Sequence, residues 1–303
     1  MVILLITKAN ARHVTGTTGS FGAAAAMSKL LNLSPQQFKY ALGHAASLAG
    51  GTRSANGTDT KTLHMGRGAQ NGITAAVLAQ QNFDTGADPI EYWGKLVSTT
   101  VDMSYLTEAL GKQWELSQNT FKPYPCGIVI HPLIDGCISL YERGVRAEDI
   151  ERMEVVVNPQ CVRLCFIRQP KTFLEAIFSL YHGCAVGVLY GAGGRRQFAD
   201  EVCNLKEVIS IRDKIEARTD GSLRDDEAIL KIVLRNGRVE EEHVEHAVGS
   251  LTKPLTRDQL ERKLIDQSED AIGSDSCRKV IEMCWKLDEI EDISQLLDLC
   301  RTR

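Results

Sequence analysis

The sequence predicts a mainly α-helical protein with a smaller α+β part. The chain has 303 residues, 43% of them hydrophobic and 24% charged, which is typical of a globular protein large enough for two domains. Helical periods rich in alanine and glycine dominate residues 1–116, whereas β-branched runs and a hairpin pattern fall within 117–252. Helical periodicity returns over 253–303. We therefore expect a helical domain, an α+β domain, and C-terminal helices that return to the helical domain.

The first domain should contain helices built largely from small residues. A glycine and threonine turn over 16–22 leads into an alanine-rich helix. The sequence Ser-Pro-Gln-Gln from Ser34 has a capping-box pattern and starts a second helix. Further helices are predicted over 66–81 and 104–114. Because small side chains let backbones approach each other, we expect these helices to pack at short axial distance.

The stretch 50–71 joins two of these helices and carries unusual chemistry. Its first half is mostly glycine and small polar residues, so the backbone there can approach a ligand closely. Lys61, His64 and Arg67 follow at intervals of three. If a helix begins near Thr62, these cations lie beside its N-terminus, which favours an anion with several carboxylates. A solvated basic helix start is the alternative.

The second domain shows strand patterns followed by a helix start. Residues 153–157 form a β-branched run, and residues 229–234 and 239–247 flank an Asn-Gly pair, the strongest short hairpin pattern. From Thr256 a second capping-box pattern precedes helical periodicity. This part of the chain is therefore expected to be α+β.

Two further groups of side chains are candidate site residues. Lys122 and His131 bracket the sequence KPYPCGIVIH, whose prolines restrict the backbone, and Pro132 should lie just inside a helix start. A rigid interdomain connector with a capping histidine is the alternative. Tyr181 and His182 fall in the first turn of a glycine- and alanine-rich helix, although such a pair commonly satisfies only local hydrogen bonds.

Composition excludes several function classes. The formal net charge is -4 and the pI about 6.0, with scattered basic residues, so we expect no nucleic-acid or membrane partner. The nine cysteines include no C-x-x-C pair, which favours reduced thiols in an intracellular protein. The N-terminal apolar run of MVILLI is too short for a signal peptide or a membrane span. No histidine and carboxylate cluster has the spacing of a metal site.

Four stretches in order along the chain resemble motifs of the MmgE/PrpD family. They are HVTGTTGSFGAAAAMSKLLNLSPQQFKYALGHAASLAGG, TKTLHMGRGAQNGITAAVLA, KPYPCGIVIHPLID and FSLYHGCAVGVL. The similarity runs from about His13 to the C-terminus. That family includes 2-methylcitrate dehydratase, cis-aconitate decarboxylase and iminodisuccinate epimerase.

The resemblance implies a helical domain completed by the C-terminal helices, a smaller α+β lid, an active site between them, and a homodimer. His13 matches the histidine before the TGT turn, while Lys61 and His64 match the TK-x-LH site. Lys122 and His131 match the KPYPC segment and its histidine. Family members normally have a further helical segment before the position of His13, with an Asp and His motif. We therefore expect the helical domain here to lack its N-terminal part.

The resulting hypothesis is an intracellular lyase, cytoplasmic or mitochondrial, that decarboxylates or dehydrates a citrate- or aconitate-like tricarboxylic acid. The expected catalytic residues are His13, His131, Tyr181 and His182, and the expected substrate-binding residues are Lys61, His64, Arg67 and Lys122. The resemblance implies neither a cofactor nor a metal, only proton transfer at a carbon next to a carboxylate. Two alternatives are a catalytically inactive, truncated member that dimerises or binds a metabolite, and an epimerase or isomerase of a dicarboxylic acid derivative.

Overall fold

The computed structural model describes residues 12–55 and 58–301, and it divides the chain into two compact units, Met1–Ser117 and Gln118–Arg303. The first unit is helical, and the second combines helices with a four-stranded sheet. This confirms the predicted fold class. The C-terminal helices group with the second unit, and their expected return to the helical domain stays a prediction.

Four α-helices build the described part of the first unit. They are α1 (Val14–Leu30), α2 (Pro35–Leu48), α3 (Asp59–Gln80) and α4 (Pro89–Val97), with 3-10 turns at Arg53–Ala55, Met103–Leu106 and Glu115–Gln118. The capping box at Ser34 is confirmed: its hydroxyl accepts from the Gln37 backbone, and the Gln37 side chain accepts from the Ser34 backbone.

Helices α1 and α3 pack closely because their contact is made of small residues. At Gly72, a side chain would collide with Ala23 and with the backbone of Ala24 on α1. Ala24 and Ala75 are fully buried in this region. The small-residue pattern thus predicted the close packing correctly.

Three local predictions in this unit were wrong. Residues 16–22 are not a turn, because α1 already begins at Val14 and the hydroxyls of Thr17 and Thr18 donate to the Val14 carbonyl inside the helix. Packing against α3 outweighs the poor helix propensity of glycine and threonine here. Helix α3 begins at Asp59 rather than near Thr62, so Lys61 lies in its first turn.

The third wrong prediction concerns residues 104–114, which form a 3-10 turn and further turns instead of an α-helix. Ala109 and Gly111 have positive φ angles of 55° and 76°, which an α-helix cannot accommodate. The helix of this region is instead α4, whose first residue is Pro89. Proline at the first helical position was a usable sequence pattern.

The second unit is an α+β structure around one mixed sheet. Its elements are α5 (His131–Glu142), β1 (Ile150–Val157), α6 (Pro159–Leu164), α7 (Phe173–Ala176), α8 (Leu180–Tyr190), α9 (Asp200–Cys203), α10 (Lys206–Asp213), β2 (Ile215–Thr219), β3 (Ala228–Leu234), β4 (Val239–Val244), α11 (Arg257–Ile272), α12 (Ser274–Trp285) and α13 (Ser294–Leu299). The strand order is β2-β1-β3-β4, with β1 parallel to β2 and the other pairs antiparallel.

Helix α5 lies on this sheet and forms the centre of the core. Its Gly136 faces Leu230 of β3 and Val244 of β4, and α8 packs on its other side where Gly187 meets Cys137. The hairpin between β3 and β4 is confirmed. The predictions that Pro132 lies just inside a helix start and that Thr256 caps a helix are also confirmed.

No helix within the described ranges has the length and apolar character that crossing a bilayer requires. All nine cysteines are free thiols, and seven of them are buried.

The contact between α1 and α3 yields a stability prediction. Gly72→Ala should lower the free energy of unfolding by about 1–3 kcal/mol, because the added methyl group overpacks the contact with α1. Gly66→Ala, on the same helix, should be neutral or stabilising by up to about 1 kcal/mol, because nothing lies within 4 Å of the added methyl group and alanine favours the helix. Urea unfolding of both variants measures the difference, and equal values would contradict the close packing.

Candidate functional site

Two histidines of the first unit contact each other. His13 precedes the first residue of α1, where its backbone N–H donates to the Gly51 carbonyl at 3.1 Å and its own carbonyl accepts from Thr17. His64 lies on α3. The Nδ1 atoms of the two rings are 3.2 Å apart, and the ring centroids are 5.2 Å apart. One Nδ1 atom donates a hydrogen and the other accepts it, and which ring donates depends on their tautomers.

Glycines bring the loop before α3 against this pair. The Gly50 N–H donates to the Gly16 carbonyl, and a side chain at Gly16 would collide with the Gly50 carbonyl. Gly51 has a φ of 117°, and a Cβ atom there would lie 3.1 Å from the His64 ring. The glycine-rich stretch therefore allows close backbone approach, as expected, and the group that it approaches is a histidine ring.

The surroundings hold His13 in its neutral form. Partial burial lowers the pKa of His13 below its usual 6.5, and the nearby His64, Lys61 and Arg53 lower it further. A neutral imidazole at neutral pH can accept a proton, which is the requirement for a general base.

The structure brings together three of the predicted residues in this unit and adds one. His13, His64 and Lys61 are neighbours, and Arg53 belongs to the same cluster. Arg53 lies inside the stretch 50–71. Its positive charge beside the other basic residues of this stretch could have identified it from the sequence. Arg67 is exposed instead and donates to the Gln70 side chain at 2.7 Å.

Lys122 and His131 of the second unit meet at one carbonyl group. The Lys122 Nζ atom donates to the Cys126 carbonyl at 3.0 Å, and the His131 ring bonds to the same backbone group. Only 1% of His131 is exposed, and its Nε2 atom has no hydrogen-bond partner among the described residues. Burial first, and then the charges of Lys122 and Lys263, lower its pKa to about 3.

A partly buried carboxylate anchors the loop that carries Lys122. The Tyr124 hydroxyl donates to Asp135 Oδ1 at 2.5 Å, and the Val248 N–H donates to Asp135 Oδ2 at 2.7 Å. Burial raises the pKa of Asp135. The Tyr124 ring also stands edge-on to the His131 ring, with centroids 5.3 Å apart. Sequence reasoning missed Asp135, although it lies one helical turn after His131 in the quoted motif.

Tyr181 and His182 lie in the first turn of α8, as the sequence predicts. His182 is fully buried and its Nε2 atom is 2.9 Å from the Gln197 carbonyl. Burial lowers its pKa to about 4. The Arg168 guanidinium lies over the Tyr181 ring, 4.7 Å from its centroid. No hydrogen bond within the described ranges joins this pair to Lys122 or His131, so the catalytic role of Tyr181 and His182 stays a prediction.

Potential metal ligands are also dispersed. In the part of the chain that the structure describes, no group of three or more histidine, cysteine or carboxylate side chains is placed to hold a metal ion.

Comparison with known families matches both units. The MmgE/PrpD N-terminal domain model matches residues 2–96, and the MmgE/PrpD C-terminal domain model matches residues 124–287. The chain belongs to the MmgE/PrpD family. The matched ranges include His13, Lys61 and His64 in the first unit and His131 in the second, whereas Lys122 lies just before the second range.

Three curated relatives carry names that describe one activity. Cis-aconitate decarboxylase of Homo sapiens is 26% identical over 304 residues, and that of Mus musculus is 26% identical over 310 residues. The cis-aconitate decarboxylase-like protein oryM of Aspergillus oryzae is 25% identical over 314 residues. Each alignment includes 95% of this chain but only 62–64% of the relative. The chain therefore spans less than two thirds of the length of these relatives.

The histidine pair yields a titration prediction. In the wild type, His13 should titrate below 6.5, because burial and nearby cations disfavour its charged form. His64→Gln should raise the His13 pKa, since it removes one of the charges that lower it. Arg67→Gln is the control on the same helix and should leave the pKa unchanged. NMR titration of the His13 ring protons measures all three, and a pKa insensitive to His64 would contradict the coupling.

The anchor at Asp135 yields a second prediction. Tyr124→Phe should lower the free energy of unfolding by about 1 kcal/mol, because it removes the hydrogen bond from the Tyr124 hydroxyl to the partly buried Asp135 carboxylate. Tyr190→Phe is the matched control, since no hydrogen bond of the Tyr190 hydroxyl to a described residue is present, and it should change stability little. Urea unfolding compares the two, and an unchanged Tyr124→Phe variant would argue against the anchor.

Proposed function

We propose that this protein is a lyase that acts on a citrate- or aconitate-like tricarboxylic acid by decarboxylation or dehydration. The observation that carries the proposal is the contact of His13 and His64 beside Lys61 and Arg53. Such a cluster combines a neutral base with cations that attract carboxylates. Membership of the MmgE/PrpD family and the relatives named cis-aconitate decarboxylase support the reaction class.

The proposed chemistry is proton transfer at a carbon next to a carboxylate. His13 exchanges the proton, and His64 holds its ring in one tautomer through the hydrogen bond between the Nδ1 atoms. Lys61 and Arg53 hold carboxylates of the substrate, and a carboxylate bound there raises the His13 pKa again. The side chains alone supply this acid and base, so the proposal requires no cofactor.

The two candidate reactions use His13 in opposite states. Dehydration starts with His13 neutral, because the ring removes a proton from carbon while hydroxide leaves. Decarboxylation starts with His13 charged, because the electron pair left on carbon by the departing carbon dioxide takes a proton from the ring, which ends neutral. The rate of dehydration should thus fall as the pH drops below the His13 pKa, and that of decarboxylation should fall as the pH rises above it.

In the second unit, we assign carboxylate binding to Lys122. Its Nζ atom is held by the Cys126 carbonyl and still has hydrogens to donate. His131 and His182 are buried and neutral, and we keep the proposal that they take part in proton transfer. We also keep the proposal that the protein forms a homodimer.

The activity test is proton NMR in D₂O with cis-aconitate, citrate and 2-methylcitrate. We expect a new product with at least one of the three acids. His13→Gln should reduce the rate by a factor of about 100 or more, because it removes the acid and base. Lys29→Gln, an exposed charge at the end of α1, is the control and should retain the rate.

Each other outcome has a defined meaning. Deuterium exchange without a new product would indicate an epimerase or isomerase. No reaction with any of the acids, in a protein that gives a folded NMR spectrum, would contradict the lyase and favour a metabolite-binding member of the family.

A further inference from the structure

A second cluster of positive charge lines a cavity that lies entirely within the second unit. The cavity has a volume of about 400 Å³ and is lined by Lys122, Arg195 and Lys263 together with Tyr124, Phe173 and Gln267. We call it the cationic pocket. Sequence reasoning had singled out only Lys122 of this set.

Three separate segments bring these cations together. Lys122 precedes the Tyr124 loop that Asp135 anchors. Arg195 begins the 3-10 turn that follows Gly193 and Gly194, and Lys263 lies on α11. Because their sequence distances are large, only the folded second unit places them around one cavity.

The lining of the cationic pocket combines three cations with no carboxylate. Among the described residues, none of Lys122, Arg195 and Lys263 forms an ion pair, and no acidic side chain lines this cavity. Burial, and then the charge of Lys122, lower the pKa of Lys263. The adjoining groove shares Arg195 and Lys263 with the pocket, and its acidic lining residues are Asp135, Glu142, Glu242 and Asp266. Collecting like charges in this way costs stability unless an anion binds.

The side chains that line the pocket indicate which kind of anion it binds. A guanidinium group binds a carboxylate through two parallel hydrogen bonds, and the ammonium groups add point charges. Phe173, Tyr124 and Pro125 supply apolar walls, which suit the carbon chain of an organic acid better than a bare inorganic ion.

We propose that the cationic pocket binds carboxylates of a small polycarboxylic acid, and that Arg195 and Lys263 determine this specificity together with Lys122. The class of ligand rests on the proposed function. The inference goes beyond that function by assigning carboxylate binding to Arg195 and to Lys263, which lies on the C-terminal helices.

The test is calorimetric binding of tricarballylate, a saturated tricarboxylate with no hydroxyl group to eliminate and no double bond. Arg195→Gln and Lys263→Gln should each weaken binding roughly tenfold or more, because each removes a charge-assisted hydrogen bond. Lys263→Arg should restore most of the affinity. Arg196→Gln is the matched control, since Arg196 is adjacent to Arg195 but does not line the pocket, and it should bind as the wild type does.

The outcomes separate this inference from the proposed function. Loss of tricarballylate binding in both variants of a protein that turns over no substrate supports the pocket and contradicts the lyase. Turnover by the wild type with tricarballylate affinity unchanged in both variants overturns the pocket and leaves the lyase intact. Inorganic phosphate that binds as tightly as tricarballylate, and is lost in the same variants, overturns the carboxylate assignment.

Discussion

The close approach of α1 to α3 is the constraint on which the first unit depends. Gly72 leaves no room for a side chain beside Ala23, so the two helices meet almost backbone to backbone. That approach places the start of α1 beside the start of α3, and with it His13 beside His64. The site chemistry of this unit thus follows from the packing of small residues.

In the second unit, buried contacts determine where the candidate site residues lie. Helix α5 lies on the sheet and carries His131 into the core, with the partly buried Asp135 one helical turn later. Asp135 fixes Tyr124 and Val248, and the Cys126 carbonyl bonds to both His131 and Lys122. Buried polar groups of this kind are strongly directional, because an unmade hydrogen bond in the core is costly. The position of Lys122 is therefore set by interior contacts.

Local chemistry explains which structural predictions were correct. The capping boxes at Ser34 and Thr256 and the hairpin before β4 require only neighbouring residues, and all three formed as expected. The predictions that failed, at 16–22 and 104–114, depended on how a segment packs. In the first, contact with α3 extended a helix through glycines and threonines. In the second, two residues with positive φ ended a helical pattern.

The sequence by itself determined the fold class, the main caps and turns, and the residue types from which a carboxylate site can be built. Its four ordered motifs also indicated the MmgE/PrpD family, and the matches to both domain models established that membership. Only the tertiary structure decided that His13 meets His64, 51 positions away, and that Lys263 stands beside Lys122. It also decided which histidines are buried, and hence how far their pKa values fall. Contacts between distant residues depend on how closely helices pack, and that is a property of the whole assembled core rather than of any one stretch.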